Sequence, residues 1–320
     1  MDFYFSRFRV VAKFLEDANL PRFKGAMLRG GFGVNLREMV CVNRGEVCEQ
    51  CFLSPKCGYS VVFESRKEKQ ENLFYTINMI PRPFVIDVPL FDKDFYRAGE
   101  TIDFYITVIG DALDYTPFLI AAFMRFMNKG IGKERIKAEI EYIAYEDVLN
   151  QHETVIFDGK SKCLVGNYKD RVTFGSIREK YSLPMVNRIT VSFKTMTRIV
   201  KEGKISNSFE FESFKRSLLR RISMLYCYYC GDKEDEINRK LIDLINKKCD
   251  IVVTEDKRLW RDWKRYSTRQ KKEIYLGGLV GDIKIEGDLT ELYPYILLGQ
   301  YLHVGKNSTF GLGKYEVLID

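Results

Sequence analysis

Four cysteines, Cys41, Cys48, Cys51 and Cys57, fall within seventeen residues, two of them as a C-x-x-C. Zinc takes four soft ligands in a tetrahedron, and a C-x-x-C turn delivers two of them from one loop. Where thiols stay reduced, the spacing predicts a bound metal and not disulfides, with structural zinc as the expected cofactor. Four protein ligands leave no open position, so no catalysis is expected from that ion. The competing readings are an iron–sulfur cluster and a set of half-buried thiols that bind nothing. Cys227 and Cys230 form a second C-x-x-C, but on an apolar helical stretch, and read as core.

A second feature is KRLWRDWKRYSTRQKK, from Lys257 to Lys272, which holds eight basic residues against the single acidic Asp262. Both tryptophans of the chain lie in it, Trp260 and Trp263, with Tyr266. Cations neutralise phosphates, while aromatic faces and guanidinium planes stack on unpaired bases. Lys257, Arg258, Trp260, Arg261, Trp263, Lys264, Arg265, Tyr266, Arg269 and Lys271 are therefore the candidate nucleic-acid contacts. A further basic set runs from Lys194 to Arg221 and includes Arg198, Lys215, Arg216 and Arg220. The alternative is a solvated charged face with the tryptophans in the core. Two basic runs in one half of the chain, one laced with aromatics, favour nucleic acid.

The third feature is HVGKNSTFGLG, His303 to Gly313. Gly305, Gly311 and Gly313 allow a phosphate or another backbone to come close, because no Cβ blocks the approach. The stretch is not a nucleotide-triphosphate loop: five residues separate Gly299 from Gly305, Asn307 follows Lys306, and the segment leaves a helix where a Walker loop enters one. His152 and His303 are the only histidines. A general acid or base near neutral pH is most readily an imidazole, so His303, beside Lys306, is the candidate.

These residues need a scaffold, and the chain has the material for one. Of its 320 residues 46% are hydrophobic and 30% charged, and the net charge is +7, a soluble globular balance large enough for two domains. No apolar run reaches membrane-spanning length, and the charged opening stretch does not read as a signal peptide, so a cytoplasmic protein with no membrane partner is expected. Tyr4 to Phe14 reads as a strand, 25–40 as a helix, 100–111 as a strand, 116–127 as a buried helix and 133–147 as a strand. The second half repeats the order: a strand over 187–199, an amphipathic helix over 209–229, a hairpin over 273–287, a helix capped by Asp288 and ending near Leu302, and a last strand over 313–320. Two βαββαβ units predict an α+β chain of two tandem ferredoxin-like domains, 1–150 and 187–320, the first carrying the cysteine insertion at 41–57, with an inter-domain region over 151–186.

Taken together these stretches resemble the CRISPR-associated endoribonucleases of the RAMP superfamily, which process precursor CRISPR RNA. That superfamily places a glycine-rich loop, G-h-G-x5-G-h-G, before its final strand. Gly305, Gly311, Leu312 and Gly313 match it, and His303 stands where the pattern often has glycine. Residues 265–270 and 277–281 are similar to the family's β-hairpin region, and LRGGFGVNLREMVC with the following cysteines is similar to a cysteine-bearing branch. The resemblance implies RNA lying across the basic face and the cleft between the two domains. It also implies metal-independent cleavage of CRISPR repeat RNA by a ribose 2′-hydroxyl, with His303 as base or acid and Lys306 and Arg29 as electrostatic stabilisers. The family often has a histidine near its first helix; here that stretch offers only Lys24, Arg29 and Arg37. Expected partners are CRISPR repeat RNA and its processed product, with a CRISPR effector complex and a homodimer as further candidates. The alternatives are a RAMP-fold subunit that binds CRISPR RNA without cutting it, and a metal or redox protein built on the cysteines.

Overall fold

A strand that pairs on both sides lies at the centre of each sheet. The computed structural model describes residues 1–64, 80–90, 93–231, 236–267 and 272–319. The chain divides into two units, Met1–Thr173 with Met224–Asp235, and Phe174–Ser223 with Glu236–Asp320. Both are α+β.

In the first unit the elements are β1 (Tyr4–Phe14), α1 (Gly25–Val40), β2 (Phe84–Asp87), β3 (Thr101–Ile109), α2 (Thr116–Lys129) and β4 (Ala138–Asp147), followed by β5 (His152–Asp158) and β6 (Cys163–Leu164). The sheet order is β2-β3-β1-β4-β5-β6, with every pair antiparallel. The stretch read as inter-domain is thus divided: β5 and β6 extend the first sheet, and Phe174 opens the second unit. An aromatic core fills the space under the helices. The Phe32 ring stacks on Phe123 at 4.7 Å between centroids and meets Phe84 edge-on at 5.5 Å, arrangements that add to their area burial. Beneath them Arg7, buried in the sheet, is held by Asp87 at 3.0 Å and by Glu146, so its charge is compensated where it lies.

The second unit has α3 (Phe174–Lys180), β7 (Arg188–Thr197), α4 (Phe211–Tyr229) as far as Ser223, its remainder being assigned to the first unit, α5 (Glu236–Asn246), β8 (Val252–Asp256), β9 (Leu259–Arg261), β10 (Lys264–Ser267), β11 (Lys272–Tyr275), β12 (Gly278–Glu286), α6 (Tyr293–Leu302) and β13 (Tyr315–Ile319). Its sheet order is β8-β12-β7-β13, again antiparallel, with β9 also pairing β12 and an irregularity in β8 between Val253 and Glu255. The apolar stripe expected on α4 is buried at each position: Phe211, Phe214, Leu218, Ile222, Leu225 and Tyr229. Tyr315, fully buried, meets Phe193 and Phe214 edge-on and donates its hydroxyl to the Ile296 carbonyl at 2.7 Å.

Two local expectations are corrected. The alternating runs over 273–287 do not form one hairpin: β11 pairs β10 in a separate ribbon, while β12 joins the main sheet. Asp288 does not cap α6. Its carboxylate accepts the Thr290 N–H at 3.1 Å in a local turn, and the helix begins at Tyr293, with a proline in its first turn.

Adjacent glycines in α1 give a test of the packing. A Cβ on Gly30 would meet nothing within 4 Å, whereas one on Gly31 would lie 2.0 Å from the Phe126 ring. Gly30→Ala is expected to stabilise the chain by about 0.5–1 kcal/mol through helix propensity. Gly31→Ala is expected to destabilise it by about 1–3 kcal/mol through overpacking. Denaturant midpoints of the two variants check the opposite signs.

Candidate nucleic-acid interface

The glycine loop is stitched to the end of β7 by backbone hydrogen bonds. Lys306 N–H donates to the Arg198 carbonyl at 2.9 Å, Gly313 N–H to Met196 at 3.1 Å, and Val304 N–H to Gly313 at 3.0 Å. Thr195 adds its side chain, donating to the Gly311 carbonyl at 2.7 Å and accepting from the Lys314 N–H at 2.9 Å. This explains two of the glycines. Gly305 has φ +84°, and a Cβ there would lie 2.6 Å from the Arg198 carbonyl oxygen; Gly313 has φ +73°, and a Cβ would lie 1.8 Å from that of Val304. The close approach that the sequence suggests is made, at these two positions, to the chain's own backbone.

His303 is fully buried. It ends α6 with φ 59° and ψ 164°, a region that is essentially reserved for glycine, and its Nδ1 lies 3.3 Å from the Leu312 carbonyl oxygen. That geometry gives a physical reason for glycine at the first position of the family pattern. It also changes the reading of the imidazole: an enclosed ring packed on its own loop has no contact with a phosphate in solvent. The apolar neighbours Leu302 and Val304 were the available signal. Arg221 secures the same corner. Its guanidinium is buried, its Nε donates to the last helical carbonyl, Leu302, at 2.9 Å, and burial pushes its pKa down to about 10. A cation at a helix C-terminus is favourably placed.

The basic segment separates into fixed and free cations. Arg258 is fixed: its side chain is only 3% exposed, it pairs with Asp256 (2.7 Å from Nε), and it lies over the Phe209 ring at 4.9 Å. Lys257 is exposed and tied to Glu255 at 2.5 Å, and Lys264 lies over the Tyr275 ring at 4.8 Å. Trp260 is 41% exposed and donates its indole N–H to Asp262 at 2.8 Å. Trp263 is half-buried. Arg261 and Lys306 are exposed and make no ion pair among the described residues. Arg265 and Tyr266 lie on β10, opposite Ile274 and Glu273, with their side chains outside the described residues, as are Arg269 and Lys271 altogether. Lys215, from the second basic set, is buried and paired with Glu212 at 2.8 Å, so it is structural.

In the first unit Arg29 is half-buried on α1, with its guanidinium over the Phe63 ring at 4.5 Å. Cys41, Cys48, Cys51 and Cys57 are all half-buried free thiols. Burial, then the Glu64 carboxylate, raises the Cys48 pKa, against which Arg37 acts. Among the described residues no group of three or more His, Cys, Asp or Glu side chains is arranged to hold a metal ion. The expected zinc site is thus not formed in this structure.

A family model described as CRISPR-associated endoribonuclease Cas6 matches residues 191–315, from within β7 to the start of β13. A second model, the N-terminal domain AF_1859_N, matches residues 3–168, more than half of the chain. The chain belongs to the family of the AF_1859_N model, and its residues 191–315 are similar to the Cas6 endoribonucleases. An uncharacterized protein of Archaeoglobus fulgidus is 27% identical over 196 residues, which span 60% of this chain and 65% of that one. Among solved structures, a partial Cas6-RT-Cas1--Cas2 complex aligns with a TM-score of 0.59 at 14% identity, covering 100% of this chain and 46% of the other. A Cas6 product complex aligns with a TM-score of 0.56 at 14% identity, covering 98% and 99%. These likenesses show a shared Cas6 fold. The chain spans 46% of the chain it matches in that Cas6-RT-Cas1--Cas2 complex and 65% of the Archaeoglobus relative.

The strain at His303 predicts an inverted substitution order. Glycine normally destabilises relative to alanine, but here His303→Gly relieves a left-handed backbone that His303→Ala retains. The glycine variant is expected to be more stable than the alanine variant by about 1 kcal/mol, as read from denaturant unfolding of the two side by side.

Proposed function

We propose that this protein binds CRISPR repeat RNA and cuts precursor CRISPR RNA without a catalytic metal, with CRISPR RNA and an effector complex as its partners. What carries the reading is a coincidence: the Cas6 match covers the unit that holds the glycine loop and the unpaired cations Arg261 and Lys306. The strand orders of both sheets support two ferredoxin-like units, since in each the first and third main strands are central neighbours and the helices follow the first and third. A Cas6 product complex among the similar structures fits the same assignment.

In the proposed reaction a ribose 2′-oxygen bonds to the adjacent phosphorus and the P–O5′ bond breaks. The 2′-proton is taken up by a base, and a proton is delivered to the leaving oxygen. The products are a 2′,3′-cyclic phosphate and a 5′-hydroxyl. Such a step gains from alignment of the attacking oxygen and from cations on the non-bridging oxygens. Lys306, exposed beside the loop, and Arg29, on the first unit, are the proposed cations. His303, enclosed, acts on the loop's shape. Its burial also favours the second reading, an RNA-binding subunit that does not cut.

Repeat RNA incubated with the protein in EDTA distinguishes these readings. Cutting is expected, lost on a single 2′-deoxy substitution at the cut site and largely retained by His303→Gly. Loss of cutting in a folded His303→Gly protein that still binds RNA would return the imidazole to catalysis. Tight binding without cutting by the natural protein would establish the non-catalytic subunit.

Zinc in the cysteine loop is proposed separately, on spacing alone, as a structural ion that takes no part in the reaction. Elemental analysis of the purified chain is expected to give about one zinc per molecule, lost in a Cys48→Ser, Cys51→Ser variant. A metal-free, fully folded protein would end that proposal.

A further inference from the structure

Arg198 follows the last residue of β7 and sits where the glycine loop meets the hairpin base. Its backbone forms a bridge with Gly305 and accepts the Lys306 N–H. On its other side Gly278 is so close that a Cβ there would lie 3.1 Å from the Arg198 Cγ and 2.8 Å from the Thr197 carbonyl oxygen. The guanidinium donates one hydrogen bond, from Nη1 to the Gly277 carbonyl. Its Nε is buried with no acceptor, and among the described residues no carboxylate pairs with it. Burial is the one cause acting on its pKa, and it pushes the value down: no counter-charge offsets the desolvation.

A half-buried cation in that state is under-satisfied, since charged donors make the strongest hydrogen bonds when an anion is present and cost the most when none is. Two more unpaired cations converge on the same backbone. Arg261 is the β-sheet partner of Gly278, and Lys306 is bonded through its N–H to Arg198 itself. The carboxylate of Asp262, the residue after Arg261, has one oxygen engaged by the Trp260 indole. Arg198, Arg261 and Lys306 are thus joined through one stretch of backbone at Gly278 and Gly305.

We infer that Arg198, Arg261 and Lys306 form a binding subsite for one backbone phosphate of single-stranded RNA, with Arg198 as its fixed member. This rests on the RNA-binding reading above and deepens it, since it assigns a phosphate contact, indifferent to base identity, to a residue held jointly by the loop and the hairpin base. Trp260, on the strand paired to the same glycines, is placed to stack the adjoining base.

The test measures affinity for two RNAs of equal length, the CRISPR repeat and an unrelated sequence, across a salt series. Arg198→Gln is expected to weaken both by about tenfold and to lower the slope of log affinity against log salt by about 1, as losing one phosphate contact does. Arg198→Lys is expected to restore the slope but only part of the affinity. Arg261→Gln, at an exposed position with no packing role, repeats the slope change and guards against a folding defect at Arg198. If the natural protein binds and cuts the repeat while all three variants keep its slope, the subsite is wrong and the function stands. If both RNAs bind alike in an Arg198-dependent way and the repeat is neither preferred nor cut, the subsite stands and the repeat-processing function fails. Binding to neither RNA overturns both.

Discussion

The second unit depends on one backbone contact: the glycine loop lying directly against the end of β7. Carbonyls at Met196 and Arg198 accept N–H groups from Gly313 and Lys306, and the space between the chains admits no Cβ at Gly305 or Gly313. Buried backbone polar groups must be paired, and here each strand end is paired by a loop that would otherwise leave its own groups unsatisfied. The left-handed residues are the geometric cost of turning the chain sharply enough to reach both points. Arg221 closes the arrangement from behind by taking the last carbonyl of α6. The outward result is a rim on which Lys306 is exposed while Ser308, Phe310 and Leu312 of the same loop are buried.

Much of the scaffold was legible because its elements carry strong periods. The β-branched and aromatic content of β1, β3 and β7 specifies strands, and the stripe of α4 specifies both type and burial. Legibility failed where two patterns look alike. The runs on either side of Gly277 both alternate, and alternation alone does not say which partner a strand takes. Asp288 has the side chain of a cap and uses it on a turn, because the proline after Tyr293 sets the helix start later. The stretch over 151–186 was hard to read because β5 buries only Ile156 and Phe157 and the strand after it is two residues long.

The site was legible in composition and misleading in role. The basic, aromatic and glycine-rich features do belong to one unit, and β9 carries its exposed tryptophan as expected. Counting charges, however, cannot tell Arg258, held between Asp256 and Phe209, from Arg261, three residues on and exposed. Scarcity made His303 conspicuous, but its flanking Leu302 and Val304 place it inside. The cysteines show the reverse limit: spacing describes what a loop is able to bind, while the conformation holds four free, half-buried thiols.

The irregularity in β8 has a consequence for solubility. The four main strands of each sheet follow the same order, and an open sheet edge is competent to join a neighbouring molecule. The second sheet ends on one side in β13, five residues long, and on the other in β8, where the break between Val253 and Glu255 interrupts the ladder. A bulged edge twists away from a flat partner and a short one offers few hydrogen bonds, so neither makes a good template. The exposed valines on β8 can therefore stand in water beside an edge that does not propagate, and a chain that repeats one architecture is kept from polymerising through it.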